Sequence, residues 1–380
     1  MIFRRIIFLF CIPFSFIYFF IISMRNILYN VNIFRKYKIN AKVISVGNIT
    51  WGGTGKTPVV AFIADILAKK NHRVSILIRG YGNDESELLP KLTSNVPVFV
   101  GKDRVARGFE AIESNLSDTI LLDDGFQYVR LRRDLDIVCV DAVKPFGNGW
   151  VIPAGTLREG LSSLKRADIF LITKADLVSK KDKLEKLERK LRSINPGAII
   201  AKAIHRPLCF YRLINEENGP FPPRRSFAAT YEVEKVNIRE LQNREFALVS
   251  AIGSPECFEK TILRLGLKIN KHFVFRDHHG YIKEDIAHIE DYCRKNNIDT
   301  VISTEKDAVK LEKLFPPRRS PACPERSRGT ATCEVKKDAV KLKSLKLTAY
   351  NLQLLVLKVR LEIIENEDGF YNRLFGIYSS

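Results

Sequence analysis

The sequence predicts an α/β protein: a mostly parallel, P-loop NTPase-type sheet with helices on both faces, a smaller C-terminal α/β domain and an N-terminal apolar membrane-associated helix. Three observations predict it. Residues 43–57, VISVGNITWGGTGKT, form an apolar strand-like run that breaks into a glycine-rich turn and then a helical pattern. Apolar strand-like runs and helical segments alternate from there, the rhythm of βαβ units and a parallel sheet. Ahead of both, residues 6–23 are apolar nearly throughout.

That first segment, IIFLFCIPFSFIYFFIIS, follows Arg4 and Arg5 and precedes Arg25, Arg35, Lys36 and Lys38. It barely reaches the length that crosses a bilayer. A signal peptide is disfavoured because no A-x-A-like cleavage site follows. Basic flanks with Pro13 and Ser15 mid-segment suit a shallow or tilted anchor over anionic headgroups, and a buried core helix is the competing reading. Spanning and lying flat both stay open for this 1–38 segment.

In the glycine-rich turn, the expected nucleotide-binding set is Thr50, Trp51, Gly52, Gly53, Thr54, Gly55, Lys56 and Thr57. The glycines let backbone N–H groups turn inward as a nest for phosphate oxygens. Lys56 would reach the β- and γ-phosphates of a nucleotide, and the Thr57 hydroxyl would hold Mg²⁺. Pro58 opens a helical pattern, so the anion would sit at a helix N-terminus. The general pattern G-x-x-x-x-G-K-[ST] asks for glycine at position 50, where this chain has Thr50.

Strands are expected in 73–82, 95–104, 119–127, 135–142 and 167–176. The third, TILLDDGFQ, ends in Asp123 and Asp124, where a Mg²⁺-binding aspartate belongs: at the carboxyl end of a parallel strand beside the loop. TKAD (173–176) resembles the guanine-reading N-K-x-D but lacks its Asn, and reads as a strand end. These elements make a kinase-type domain over 39–215, followed by a linker at 216–244. The smaller domain, 245–380, reads as strand, turn and helix in FALVSAIGSPECFEKTILRLGL, then a strand, a helix, TVISTEKDAVKL as a strand with its exit, and a late strand at 352–363.

Two hexapeptides recur: FPPRRS at 221–226 and 315–320, and KDAVKL at 306–311 and 337–342. The Pro-, Arg- and Ser-rich stretch 315–336 lies between the KDAVKL copies and reads as a disordered insertion. With Phe315 as its one aromatic residue, it is poorly suited to be a nucleic-acid-binding arm.

With 380 residues, 46% hydrophobic and 28% charged, the chain can fill two globular cores. Its net charge of +19 favours an anionic partner: nucleic acid, an acidic membrane surface or a phosphorylated substrate. Seven scattered cysteines without a C-x-x-C pair suit a reducing compartment.

The blocks VGNITWGGTGKTP, RGYG, VGKDR, LDDGFQ, DLDIVCVDA, PFGNGWVIPAGTLREGLSSLKRAD, FRDHHGY and STEKDAVKL resemble, in this order, those of the tetraacyldisaccharide 4'-kinase family. That family is the lipid A 4'-kinase of Gram-negative bacteria, and the likeness covers about 10–314 and resumes near 337–362. The resemblance implies a kinase at the cytoplasmic face of the inner membrane. It would move the γ-phosphoryl of ATP, with Mg²⁺, onto the 4'-hydroxyl of a tetraacylated glucosamine disaccharide 1-phosphate in lipid A biosynthesis. The partners implied are this glycolipid and an anionic membrane surface, and no nucleic acid.

Carried over by the resemblance, catalysis falls to Lys56 with an Asp–His pair, and the metal to Thr57, Asp123 and Asp124. The His of the family's D-H block maps onto His278, beside Asp277, in preference to His279. Its Asp, from a G-D-E-P block, maps onto Asp84 in NDESELL, with Asn83 for Gly and Ser86 for Pro. A carboxylate-linked imidazole is a reasonable general base for a sugar hydroxyl. The site would lie in the cleft between the domains, with His278 facing the loop. Tyr128 stands where the family commonly has His. The alternative is a membrane-associated switch ATPase of the MinD and ParA type, whose signature Lys before the glycine pair is replaced here by Trp51.

Overall fold

In the computed structural model, described over residues 2–80, 88–90, 92–93, 96–114, 116–178, 180–215, 231–311, 314 and 352–379, a parallel block forms first. It comprises β1 (Lys42–Gly47), β2 (Val74–Ile78), β3 (Val98–Val100), β4 (Thr119–Asp123), β5 (Leu135–Asp141) and β6 (Ile169–Thr173). The inner strands are buried along their length, as parallel strands covered on both faces must be, which is why they read as unbroken apolar runs. β1 lies between β4 and β5, with Val46 opposite Asp123 and Gly47 opposite Val138. The loops leaving the carboxyl ends of β1 and β4 therefore open side by side.

The chain then adds β7 (Ile199–Asn215), β8 (Tyr231–Val236), β9 (Glu245–Ser250), β10 (Lys268–Val274), β11 (Thr300–Thr304) and β12 (Gln353–Glu365). β9, β10, β11 and β12 make a second parallel block, and β12 runs antiparallel to β7. One sheet results among the described residues, in the order β10-β9-β11-β12-β7-β6-β5-β1-β4-β2-β3 with β8 on β7. The two expected domains are thus halves of a continuous sheet joined at the β7/β12 pair. Pro207, inside β7, has no N–H for the ladder and sits at the register shift beside Lys358 and Val359, where a bulge tolerates it.

Two segments differ from their expected places. The linker at 216–244 includes β8 and a helical turn, Ile238–Leu241; residues 216–230 lie outside the described residues. The end of the chain, expected in the smaller domain, returns to the first block. Leu361, Ile363, Phe370 and Leu374 join Val59, Ile63 and Leu67 of the helix Lys56–Lys69 in one core. A late strand and an amphipathic helix do not reveal from sequence which half of the sheet they complete. The 315–336 insertion lies outside the described residues.

The N-terminal helix, Ile2–Asn30, docks by one stripe. Ser15 is buried: its hydroxyl donates to the Val151 carbonyl (2.9 Å) and accepts from the Ala154 N–H (2.8 Å). Tyr18 donates to the Arg158 carbonyl (3.0 Å), and Arg25 pairs with Glu159 (3.0 Å). The opposite side exposes Leu9, Phe10, Phe14, Ile17, Phe20 and Ile21. Over Phe8–Asn30 the helix has a mean hydropathy of 1.9, and among the described residues it alone is long and apolar enough to cross a membrane.

Candidate active site

Between the end of β1 and the helix Lys56–Lys69 the chain makes a tight turn with Gly52 at φ 125° and Gly55 at φ 79°, backbone that side chains strongly disfavour. Thr50 is buried and bridges to Leu157, so the turn starts from extended, paired backbone. This position therefore needs no glycine. Asn48, just before it, donates to the Thr50 carbonyl (2.8 Å) and the Thr54 hydroxyl (2.9 Å) and accepts from Lys56 (3.3 Å). Trp51 is exposed, with the Arg158 guanidinium 5.9 Å from its ring centre.

Asp123 ends β4 on the neighbouring strand and Asp124 follows it, as the pairing of β1 with β4 requires. Asp124 is flanked by cations: Lys56 Nζ is 3.4 Å from one oxygen, and Arg158 Nη1 is 2.6 and 2.7 Å from the two. Burial alone would raise its pKa, but Lys56 first and Arg158 next hold the carboxyl far below the usual carboxylate range. Buried Arg104 donates to the Asp124 carbonyl (3.0 Å) and lies over the Tyr128 ring. Asp123 is 2% exposed and lines the same wall as Thr57. A hydroxyl and carboxylates beside a phosphate nest are the hard-oxygen donor set that suits Mg²⁺, which takes few protein ligands when phosphates supply others. Both oxygens of Asp124 are engaged by Arg158.

From the second half, the turn after β10 carries Asp277 and His278. Lys306 pairs with Asp277 (2.9 Å), and Asp277 Oδ1 accepts the His278 backbone N–H (3.1 Å). His278 borders the main cavity. His279 instead bonds Asp285 (2.7 Å) and stacks on Phe275. The geometry thus separates the two adjacent histidines. Asp84 lies outside the described residues.

The loop and the turn after β10 border one cavity of about 1050 Å³. Its walls bring together Gly52 to Pro58, Asp123, Asp124, Arg158 and His278, and also Tyr18, Ile22 and Arg25 of the N-terminal helix. Asp124 (φ 50°), Lys174 (φ 56°) and His278 (φ 64°) all border it in left-handed backbone. Such strained positions concentrate at functional sites.

The tetraacyldisaccharide-1-P 4'-kinase family matches residues 7–325. This chain belongs to that family. A tetraacyldisaccharide 4'-kinase from Halothermothrix orenii is 35% identical over 326 residues, covering 78% of this chain and 81% of that protein. One from Bdellovibrio bacteriovorus is 32% identical over 323 residues, covering 80% and 89%. The crystal structure of LpxK from Aquifex aeolicus in complex with ATP aligns with a TM-score of 0.64 at 25% identity, covering 96% of this chain and 98% of that one. The protein is accordingly a kinase of the tetraacyldisaccharide 4'-kinase family. The switch-ATPase alternative has less support, because the family match takes in β9, β10, β11 and the D-H block as well as the loop.

Sequence reading did not single out Asn48, Arg104, Arg158, Glu159 or Lys174. Arg158 and Glu159 stand inside the GTLRE block, which signalled the family without assigning roles. Tyr128 occupies the expected histidine position, with its hydroxyl 3.4 Å from Asp103. Asp176 of TKAD pairs with Arg264 (2.8 Å).

Proposed function

We propose that this 4'-kinase transfers the γ-phosphoryl of ATP to the 4'-hydroxyl of a tetraacylated glucosamine disaccharide 1-phosphate, at the cytoplasmic face of a bacterial inner membrane, in lipid A biosynthesis. The observation that carries the reading is the single cavity lined both by the phosphate loop and by the N-terminal helix. A nucleotide phosphate and an acyl-bearing acceptor need a common space of this kind.

In this reading, backbone N–H groups at the start of the helix Lys56–Lys69 cradle the phosphates and Lys56 reaches the transferring group. Thr57 and Asp123, with Asp124 beside them, would hold Mg²⁺, which would supply positive charge against the phosphates. Asp124 also keeps Lys56 and Arg158 together as a preset cationic pair, poised where charge develops. His278, partnered by Asp84, accepts the proton of the attacking hydroxyl. The phosphoryl bond to the leaving ADP oxygen breaks as the bond to the sugar oxygen forms.

The N-terminal helix lies in the membrane interface. A spanning helix would carry the Ser15, Tyr18 and Arg25 contacts and the catalytic body they hold into hydrocarbon, whereas a flat one keeps them and offers Phe10, Phe14 and Phe20 to the acyl boundary. Purified protein in detergent, given Mg²⁺, ATP and the tetraacyl disaccharide 1-phosphate, is expected to form a bisphosphorylated lipid. ATP hydrolysis without lipid phosphorylation would overturn the assignment.

A further inference from the structure

Lys174 follows the last residue of β6, in left-handed backbone, and is 7% exposed. A buried ammonium is costly unless each of its donors is satisfied. Here Nζ donates to the Gly53 carbonyl (2.8 Å), to Asp141 Oδ2 (2.5 Å) and to Ser254 Oγ (3.0 Å). These use all three N–H groups. Asp141 is fixed in turn, its other oxygen accepting the N–H groups of Val143 (2.8 Å) and Lys144 (3.2 Å). The three partners of Lys174 come from the phosphate loop, from β5 and from the second half of the sheet.

Around this ammonium the two halves touch without side chains between them. A Cβ built on Gly253 would lie 2.2 Å from the Gly53 nitrogen, and one built on Gly53 would lie 3.1 Å from the Gly253 Cα. Ser254 adds a bond of its own to the Gly53 carbonyl (3.2 Å), and Thr173 bonds the Thr54 carbonyl (2.9 Å). Two residues beyond Lys174, Asp176 takes Arg264 from the helix Pro255–Arg264 of the second half. On the other side of the turn, His205 of β7 lies under Gly55; a Cβ there would meet its ring at 2.7 Å. The loop is gripped from beneath and from across the cleft.

A phosphate nest works only if its N–H groups face the anion and its carbonyls face away. Gly53 is where that choice is made, because its carbonyl is held by both Lys174 and Ser254. We infer that Lys174, with Ser254, is a positioning latch: it fixes the phosphate loop in its anion-receiving shape and ties that shape to the seating of the second half of the sheet. The latch acts through Gly53 and touches no reacting atom. This inference rests on the kinase reading of the loop and adds residues to which nothing in the motif assigns a role.

The test compares Lys174→Met/Asp141→Asn with wild type. The double variant removes the buried charges together, so the melting temperature stays near wild type, as replaced buried ion pairs often allow. The KM for ATP is expected to rise about tenfold, the scale of a lost charge-assisted hydrogen bond, with a smaller change in kcat. Ser254→Ala leaves the ion pair intact and is expected to raise the same KM severalfold, with Ser254→Thr restoring it. A wild-type KM for ATP in the double variant, or in Ser254→Ala if the double variant does not fold, overturns the inference. Equilibrium dialysis with ATP alone reads the same variants without a lipid. Failure of lipid transfer in the wild type would therefore sink the acceptor assignment and leave the latch test standing.

Discussion

Lys56 sits between Asn48 and Asp124, its charge held at the mouth of the turn. Lys56→Ala is expected to lower lipid phosphorylation at least about 100-fold while the protein stays folded, since it removes a charge aimed at the transferring group. Retention of more than a few per cent of activity at an unchanged melting temperature would contradict the role. His205 supplies a pH signature. Burial first, and the Lys174 charge next, lower its pKa to about 4. A group depressed on folding binds fewer protons in the native state, so its contribution is complete above the unfolded value near 6.5 and lost as pH falls toward 4. At about 1.4 kcal/mol per unit this amounts to about 3 kcal/mol. His205→Gln should flatten the stability profile between pH 6.5 and 4, measured by denaturant unfolding; an unchanged slope would contradict it. Asp124, also depressed, loses its share at lower pH, as it protonates. The loop was legible from sequence because its parts are contiguous. Arg158 and Lys174 were not, because Arg158 finds Asp124 34 positions away and Lys174 finds Gly53 121 positions away.

Among the elements, the N-terminal helix has the most to test. Its apolar character and basic flanks were plain in sequence. Its docking stripe was not, because Ser15 looked like a mere interruption until Val151 and Ala154 were seen to bond it. Buried Glu159 holds Arg25 and Arg166 together and ties this helix to the residue beside Arg158. Deleting residues 1–24 should release much of the protein from membranes and raise the KM for lipid more than that for ATP. Unchanged partition in a flotation assay would contradict an anchoring role. Strands β1, β2, β4, β5 and β6 were readable as apolar runs bounded by turns. The long β7 was missed because Pro207 and mixed polarity break its pattern, and β8 because it lies in the segment read as a linker.

For the whole molecule, the continuous sheet makes the cleft a matter of how β7 and β12 carry one half against the other. His278 borders the same cavity as the loop. If Asp84 and His278 act as one unit, either alanine variant should lower kcat by about 10²–10⁴-fold with little change in the KM for ATP, and the double variant scarcely further. Additive losses, or losses that track the melting temperature, would contradict the pairing. The fold class and the loop side of the cleft were legible from local patterns, whereas His278 on the other side was named only through the family resemblance. The return of the last helix to the first half was not, because Phe370 and Leu374 show an apolar face without naming the core that receives it. On the proposed reading, one cavity serves both the phosphate loop and the N-terminal helix. Photo-crosslinking tests it most directly, with an acyl chain of the tetraacyl disaccharide 1-phosphate carrying a photoreactive group and the adducts mapped by mass spectrometry. Labelling at Tyr18 or Ile22, lost when the unlabelled lipid competes, is the predicted result; labelling confined to surfaces away from the N-terminal helix would contradict it.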